Sequence, residues 1–216
     1  MMSLSRALAA TLAAVSLGLS LATTPALALE AGKDYVEIPP QPVETRSKVE
    51  VIEFFWYRCP HCAHLEAEVQ DWVKKLPKDV QFKRQPAVLN DGWLPLTRAY
   101  YALEALGLVD KLHAEAFHAI HNQGIDLNDP DTFFEWAEGK GVDRKRLESA
   151  YKSFAVATKT ARAKQLTRAY RLTGVPAFVV NGRYMTSAYI TGGHPQLFAA
   201  LNGLIAMQQQ KLAKGR

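Results

Sequence analysis

The chain of 216 residues is 48% hydrophobic and 22% charged, an ordinary globular composition that argues against disorder and low complexity. Its formal net charge of +5 comes from Lys and Arg residues that are scattered among Asp and Glu residues. Such mixed charge is typical of a solvated surface, so we expect no nucleic-acid partner.

The first 28 residues have the pattern of a cleaved signal peptide. Arg6 is the only charged residue in this segment, residues 7–22 are apolar, and Ala26-Leu27-Ala28 supplies the small-x-small pattern of a cleavage site. The apolar stretch is shorter than the roughly 20 residues that a spanning helix needs. We therefore predict an exported, soluble mature chain that begins at residue 29. The alternative is an uncleaved membrane anchor.

Strand patterns dominate the beginning of the mature chain. Residues 34–38 predict a short edge strand, residues 48–56 a buried strand rich in β-branched and aromatic side chains, and residues 80–86 a further strand. Between the last two, residues 62–76 place their apolar side chains on one helical face. The predicted order is therefore β, β, α, β.

From Pro95 to about Arg171 the apolar residues follow a helical period. The predicted helices cover residues 96–106 and 108–120, begin after Asp129 and Asp143, and end with residues 155–171.

Strand character returns near the end of the chain. Residues 177–180 and 183–186 flank Asn181-Gly182, the strongest short hairpin signal. An amphipathic helix follows, and the polar tail from Gln208 is predicted to be frayed. Joined across the helical middle, the two ends form one α/β sheet domain interrupted by a helical insertion.

The only two cysteines, Cys59 and Cys62, lie within one helical turn directly after the predicted buried strand. A helix start presents unpaired backbone N–H groups that stabilise a thiolate, and Pro60 suits the first helical position. We therefore expect a lowered pKa for Cys59. Cys62 shares a helix face with Leu65 and Val69, so it points towards the core, as a shielded resolving cysteine requires.

His61 lies between the two cysteines. An imidazole that is protonated or donates a hydrogen bond there stabilises the thiolate, and whatever stabilises the reduced dithiol makes the disulfide more oxidising. The alternative is an incidental surface histidine.

Three kinds of site fit a cysteine pair at this spacing. A structural disulfide across one turn closes a tiny loop and constrains the unfolded chain little. A zinc site needs four ligands, and the remaining candidates, His118 and His121, lie on a helix that the pattern makes packed and peripheral. Thiol–disulfide exchange is therefore the favoured chemistry, with no metal and no cofactor.

Three segments resemble the DsbA family of bacterial periplasmic thiol:disulfide oxidoreductases. They are Val51-Ile-Glu-Phe-Phe-Trp-Tyr-Arg-Cys-Pro-His-Cys62, Thr173-Gly-Val-Pro-Ala-Phe178 and Leu29-Glu-Ala-Gly-Lys-Asp-Tyr35. The resemblance covers essentially the whole mature chain. It implies a thioredoxin fold with an inserted all-helical domain, in which residues 29–92 and 161–216 form the thioredoxin-like part and residues 93–160 the insertion.

The resemblance also implies roles for residues outside the cysteine pair. Pro176 is expected to be cis and to lie beside the cysteines, leaving the Val175 backbone free to pair with an extended substrate. Glu53 matches the family's buried acid below the active site and is expected to exchange protons with Cys62; the alternative is a solvated glutamate. The basic partner of that acid is ambiguous here, because Lys83 and Arg84 are adjacent.

The resemblance implies a dithiol oxidase that donates the Cys59–Cys62 disulfide to newly exported, unfolded proteins with free thiols. Its location is then the periplasm, and its partner an inner-membrane, quinone-linked reoxidase of the DsbB type. We expect a monomer. The alternatives are a periplasmic disulfide isomerase or reductant, and a peptide-binding chaperone whose cysteines are inert.

Overall fold

A computed structural model describes residues 29–45 and 47–214. The predicted signal peptide lies outside these residues. The strands are β1 (Val36–Glu37), β2 (Val49–Phe55), β3 (Val80–Pro86), β4 (Ala177–Val180) and β5 (Tyr184–Thr186). The helices are α1 (Pro60–Val73), α2 (Leu94–Ala105), α3 (Val109–His121), α4 (Pro130–Gly139), α5 (Arg144–Lys152), α6 (Phe154–Ala169), α7 (Ala188–Thr191) and α8 (His194–Lys214).

The five strands form one mixed sheet in the order β1-β5-β4-β2-β3. The β2–β3 pair is parallel, and the β2–β4, β4–β5 and β1–β5 pairs are antiparallel. Since β2 lies between β3 and β4, its backbone groups are paired on both sides. Four residues connect the carboxyl end of β2 to α1, which brings the cysteine pair to that end of the sheet.

Side chains of β2 alternate between two buried faces, as the apolar run in the sequence predicts. Val49 and Val51 pack with apolar residues of α1 and α8. Phe54 packs in a separate cluster that contains Tyr170 and Leu172, just after α6. The sheet is therefore covered on both faces, and an acid such as Glu53, which shares the face of Val51, is carried into the interior under α1.

Helices α2 to α6 follow β3 and precede β4, in the region where the sequence predicts a helical insertion. Asp129 and Asp143 cap α4 and α5 as predicted, because each carboxylate accepts a hydrogen bond from the backbone N–H three residues later. The apolar core of these helices is continuous with Tyr57 and the cysteine pair. The predicted domain boundaries fall inside a short 3₁₀ helix, Asp91–Trp93, and inside α6.

The structure corrects the predicted frayed tail. Helix α8 continues to Lys214, Gln208 is buried, and the Lys211 ammonium donates a hydrogen bond to the Tyr184 hydroxyl. The polar side chains of this segment find partners on the sheet, which the local pattern does not reveal. The sequence analysis also missed the short α7 and the 3₁₀ helix. Within the residues that the structure describes, no helix is long and apolar enough to span a bilayer.

Candidate active site around Cys59 and Cys62

Cys59 is the N-cap residue of α1, and Pro60 is the first residue of the helix, as predicted. The Cys59 N–H donates to the Trp56 carbonyl at 2.9 Å, while its own carbonyl accepts from the Ala63 N–H at 3.1 Å. This turn after β2 fixes the thiol over the first turn of the helix. Both cysteines are free thiols, and the exposed fraction is 8% for Cys59 and 1% for Cys62.

The pKa of Cys59 is lowered to about 6. The hydrogen bond from the Cys62 side chain is the largest cause; burial opposes it, and the backbone N–H groups of Cys62 and His61 and the charge of His61 add to it. His61 is exposed. The pKa of Cys59 is thus lowered in the direction that the sequence predicts, but the Cys62 side chain contributes more to this than the backbone N–H groups of the helix start.

Cys62 has the opposite character. Burial raises its pKa well above the ordinary value, and the hydrogen bond to Cys59 and the charges of Cys59 and Glu53 add to the rise. Two thiols three residues apart therefore differ sharply in acidity, so the reduced pair carries its negative charge on Cys59.

The Val175–Pro176 peptide bond is cis, as the resemblance implies. The Val175 carbonyl accepts a hydrogen bond from the Cys59 Sγ at 3.3 Å, so the structure brings this pair of residues against the cysteines. Both residues are half-buried.

Two tryptophans that the sequence analysis did not single out lie next to this site. Trp56 and Trp93 stack with ring centroids 4.1 Å apart and an interplanar angle of 2°. Trp56, Trp93 and Val175 are partly buried against the same apolar cluster as the cysteines. The aromatic run before the cysteines is a signal for Trp56, whereas Trp93 is distant in sequence.

Glu53 is 1% exposed, which excludes the alternative of a solvated glutamate. Its neighbour in the β2–β3 register is Arg84, whose Nε lies 3.5 Å from the Glu53 Oε2. Lys83 instead pairs with Glu44 and Glu50. Arg84 is thus the basic partner that the sequence left ambiguous. The pKa of Glu53 is nevertheless raised to about 8, because the effect of burial is larger than the opposing effect of the Arg84 charge.

Arg84 belongs to a larger buried cluster that the sequence analysis missed. Its Nη2 donates to the Glu66 Oε1 at 3.0 Å, and the His113 Nε2 lies 3.3 Å from the Glu66 Oε2. The other ring nitrogen of His113 is 2.9 Å from the Tyr57 hydroxyl. Glu66 stands one helical turn after Cys62, on the same face, which is the one sequence signal that points to it.

The described residues contain no group of three or more His, Cys, Asp and Glu side chains that could hold a metal ion. The His121 Nε2 is 2.8 Å from the Tyr57 carbonyl oxygen, so this ring contacts the segment that leads into Cys59.

Comparisons with known proteins agree with this geometry. The family model "DSBA-like thioredoxin domain" matches residues 77–200. The thiol:disulfide interchange protein DsbA of Bordetella pertussis is 45% identical over 182 residues, which cover 84% of this chain and 87% of the relative. The protein of the same name from Pseudomonas aeruginosa is 38% identical, over 85% of this chain and 88% of the relative. The chain belongs to the DsbA-like thioredoxin family.

Solved DsbA structures share the fold. The crystal structure of Pseudomonas aeruginosa DsbA matches with a TM-score of 0.81 and 38% identity, covering 87% of this chain and 97% of that chain. DsbA from Xylella fastidiosa matches with a TM-score of 0.78 and 34% identity, over 84% and 98% of the two chains. The predicted fold class, a thioredoxin fold with a helical insertion, is confirmed. The cysteine pair at the start of α1 is consistent with membership in this DsbA-like family.

Proposed function

We propose that this protein is a dithiol oxidase that donates a Cys59–Cys62 disulfide to exported, unfolded proteins with free thiols. Its enzyme class is thiol:disulfide oxidoreductase, as for its DsbA relatives. The observation that carries the proposal is the difference in acidity between the two thiols, low for Cys59 and high for Cys62. A stabilised Cys59 thiolate favours the reduced enzyme, and this makes the disulfide a strong oxidant.

The reaction proceeds in two exchanges. A substrate thiolate attacks the Cys59 Sγ, the Cys59–Cys62 bond breaks, and the electron pair leaves on the Cys62 sulfur. Its high pKa means that this sulfur takes a proton, which Glu53 supplies. A second substrate thiolate then attacks the substrate sulfur of the mixed disulfide, and Cys59 leaves as a thiolate. The substrate is oxidised by two electrons, and the enzyme is reduced to the dithiol.

The remaining site residues orient the reactants. Pro60 begins the helix that stabilises the Cys59 thiolate, and His61 adds a positive charge beside it. The Val175 backbone before Pro176 pairs with an extended substrate segment, so recognition depends on backbone shape. The enzyme acts in the periplasm, and an inner-membrane, quinone-linked partner of the DsbB type reoxidises it.

Two cysteine variants and a redox titration test this proposal. Cys59→Ser is expected to abolish oxidation of a reduced unfolded protein. Cys62→Ala is expected to accumulate mixed disulfides with periplasmic proteins through Cys59. Oxidation by Cys59→Ser would overturn the assignment of Cys59 as the sulfur that the substrate attacks, and a strongly reducing potential would favour a reductant or isomerase. Full biological function of a protein without cysteines would instead favour a peptide-binding chaperone.

A further inference from the structure

Arg84 lies between the buried carboxyl groups of Glu53 and Glu66, and it forms a hydrogen bond with only one of them, Glu66. Its Nη2 donates a hydrogen bond to the Glu66 Oε1 at 3.0 Å. Its Nε lies 3.5 Å from the Glu53 Oε2, and neither of these two atoms has a hydrogen-bond partner in the described part of the chain. The exposed fraction is 1% for Glu53 and 4% for Glu66. The one guanidinium is thus committed to Glu66, although Glu53 is its direct neighbour in the sheet.

Other groups hold Glu66 in this pairing. The Gln70 side-chain amide donates to the Glu66 Oε1 at 2.8 Å. The His113 Nε2 lies 3.3 Å from the Glu66 Oε2, within ion-pair distance, although neither atom has a hydrogen-bond partner among the described residues. His113 is 2% exposed, and its Nδ1 is 2.9 Å from the Tyr57 hydroxyl. The tautomer that satisfies both contacts carries its proton on Nε2, towards Glu66, and accepts from Tyr57 at Nδ1. In this tautomer His113 faces the Glu66 carboxylate with a neutral N–H group.

We propose that Glu66 and His113 are positioning residues that hold the Arg84 guanidinium on Glu66, so that Glu53 keeps its proton and can deliver it to the Cys62 sulfur. This inference rests on the proposed function, in which Cys62 is the leaving group. As the Cys59–Cys62 bond breaks, the electron pair on the Cys62 sulfur takes the Glu53 proton, and a Glu53 carboxylate remains. A proton released by a substrate thiol restores it.

The groups that face Glu53 from neighbouring helices and strands are consistent with a protonated Glu53. They are Arg84 on β3, Glu66 and Cys62 on α1, and Tyr100 on α2. Burial raises the pKa of Glu53 and the negative charge of Glu66 adds to the rise, whereas Arg84 lowers it. Only Arg84 among these groups favours the Glu53 carboxylate.

Glu66 titrates in the opposite direction. Burial would raise its pKa, but the interactions with the nearby His113 side chain and the charge of Arg84 together bring it below the ordinary value. Burial lowers the pKa of His113, which keeps the ring neutral and able to donate to Glu66. Glu66 is therefore the ionised member of the carboxylate pair and Glu53 the protonated member.

The test is a titration of the Glu53 carboxyl by ¹³C NMR in the oxidised full-length mature protein. In Glu66→Gln the competing negative charge is gone and Arg84 is free to pair with Glu53. We expect the Glu53 pKa to fall by about 1–3 units, the range for a carboxyl that gains an adjacent arginine. His113→Phe should lower it by less, because Glu66 remains, and His113→Gln should restore it, since its amide keeps an N–H donor towards Glu66.

Glu68→Gln, on the exposed side of α1, is the matched control and should leave the Glu53 titration unchanged. An unshifted Glu53 pKa in folded Glu66→Gln and in folded His113→Phe would overturn the inference, and so would failure of His113→Gln to restore the wild-type value.

A kinetic measurement separates this inference from the proposed function. The rate at which oxidised enzyme oxidises a dithiol peptide is followed against pH in wild type, Glu53→Gln and Glu66→Gln. We expect the wild-type dependence on the Glu53 proton to vanish in Glu53→Gln and to move to lower pH in Glu66→Gln. If Glu53→Gln leaves the profile unchanged, Glu53 is not the proton donor of the proposed reaction and this inference fails with it. If Glu53→Gln changes the profile and Glu66→Gln does not, only the roles assigned to Glu66 and His113 fail.

Discussion

The Cys59 Sγ donates a hydrogen bond to the carbonyl oxygen of Val175, 3.3 Å away and 116 residues later in the chain. A thiol can make this bond and a thiolate cannot, because only the thiol has a proton to donate. Ionisation of Cys59 therefore releases the Val175 carbonyl. In the oxidised enzyme Cys59 carries no thiol proton either, so the Val175 carbonyl is free for the substrate pairing that we propose.

The acidity of Cys59 should depend chiefly on Cys62, whose side-chain hydrogen bond is the largest cause of the lowered pKa. In Cys62→Ala we expect the Cys59 pKa to rise from about 6 by on the order of one unit. Ultraviolet absorbance of the thiolate during a pH titration measures it. Cys62→Ser keeps a hydroxyl donor at nearly the same place and should shift the pKa less. Equal midpoints in wild type and Cys62→Ala would contradict this assignment.

His61 should tune the same thiol more weakly. Its charge is a smaller cause than the Cys62 hydrogen bond. His61→Ala removes this charge and keeps the backbone N–H, so it should raise the Cys59 pKa by less than Cys62→Ala does. A less stable thiolate also makes the disulfide less oxidising, by on the order of 30 mV for each pKa unit. Equilibration with glutathione measures the potential. His64→Ala, another exposed histidine of α1, is the control; an equal shift there would argue against a specific role of His61.

Glu53 should make the stability of the oxidised protein fall as pH rises. The pKa of Glu53 is about 8 in the folded protein, compared with an ordinary value of 4.5 that applies to the unfolded chain. Between these two pH values the folded protein therefore holds a proton on Glu53 that the unfolded chain has lost. The penalty is absent below about pH 4.5 and complete above about pH 8, where it amounts to a few kcal/mol, on the order of 1.4 kcal/mol per pKa unit.

Glu53→Gln cannot ionise and should therefore gain stability relative to wild type between pH 5 and pH 8, the window set by the Glu53 pKa shift. Urea unfolding of the oxidised proteins across this window measures the difference. Glu135→Gln, an exposed residue of α4 that takes part in no ion pair among the described residues, should run parallel to wild type. A constant offset of Glu53→Gln at every pH would show that Glu53 does not titrate in this window.

Arg84 should matter for stability because it is the only cation that contacts the buried Glu66 carboxylate among the described ion pairs, His113 being neutral. Arg84→Met leaves that carboxylate uncompensated, and we expect a loss of about 3–5 kcal/mol in the free energy of unfolding. Lys74→Met removes an exposed partner of Asp71 and should cost roughly 0–1 kcal/mol. Chemical unfolding at neutral pH measures the free energy of unfolding of both variants. A loss below about 1 kcal/mol in the free energy of unfolding of Arg84→Met would contradict a buried Arg84–Glu66 ion pair.

Local patterns predicted most of the fold because each depends on neighbours in the chain. The run before the cysteines predicted β2 since a strand buried on both faces is continuously apolar. Residues 80–86 were predicted with the bounds that β3 has, and Asp129 and Asp143 were recognised as caps from the residues that follow them. The prediction of a frayed tail from Gln208 was wrong because polar side chains of this segment form hydrogen bonds with residues far away in sequence.

The chemistry could be predicted from two features of the sequence: two cysteines at a helix start after a buried strand, and the motifs of the DsbA-like family. The protonation of the acids beneath the cysteines depends on long-range contacts that no local pattern predicts. Whether Lys83 or Arg84 faces Glu53 depends on the strand register, and the contact of Glu66 with His113 depends on the packing of α1 against α3. A buried acid takes its pKa from the groups that surround it in space, and the groups around Glu53 lie on β3, α1 and α2, which are separate in sequence.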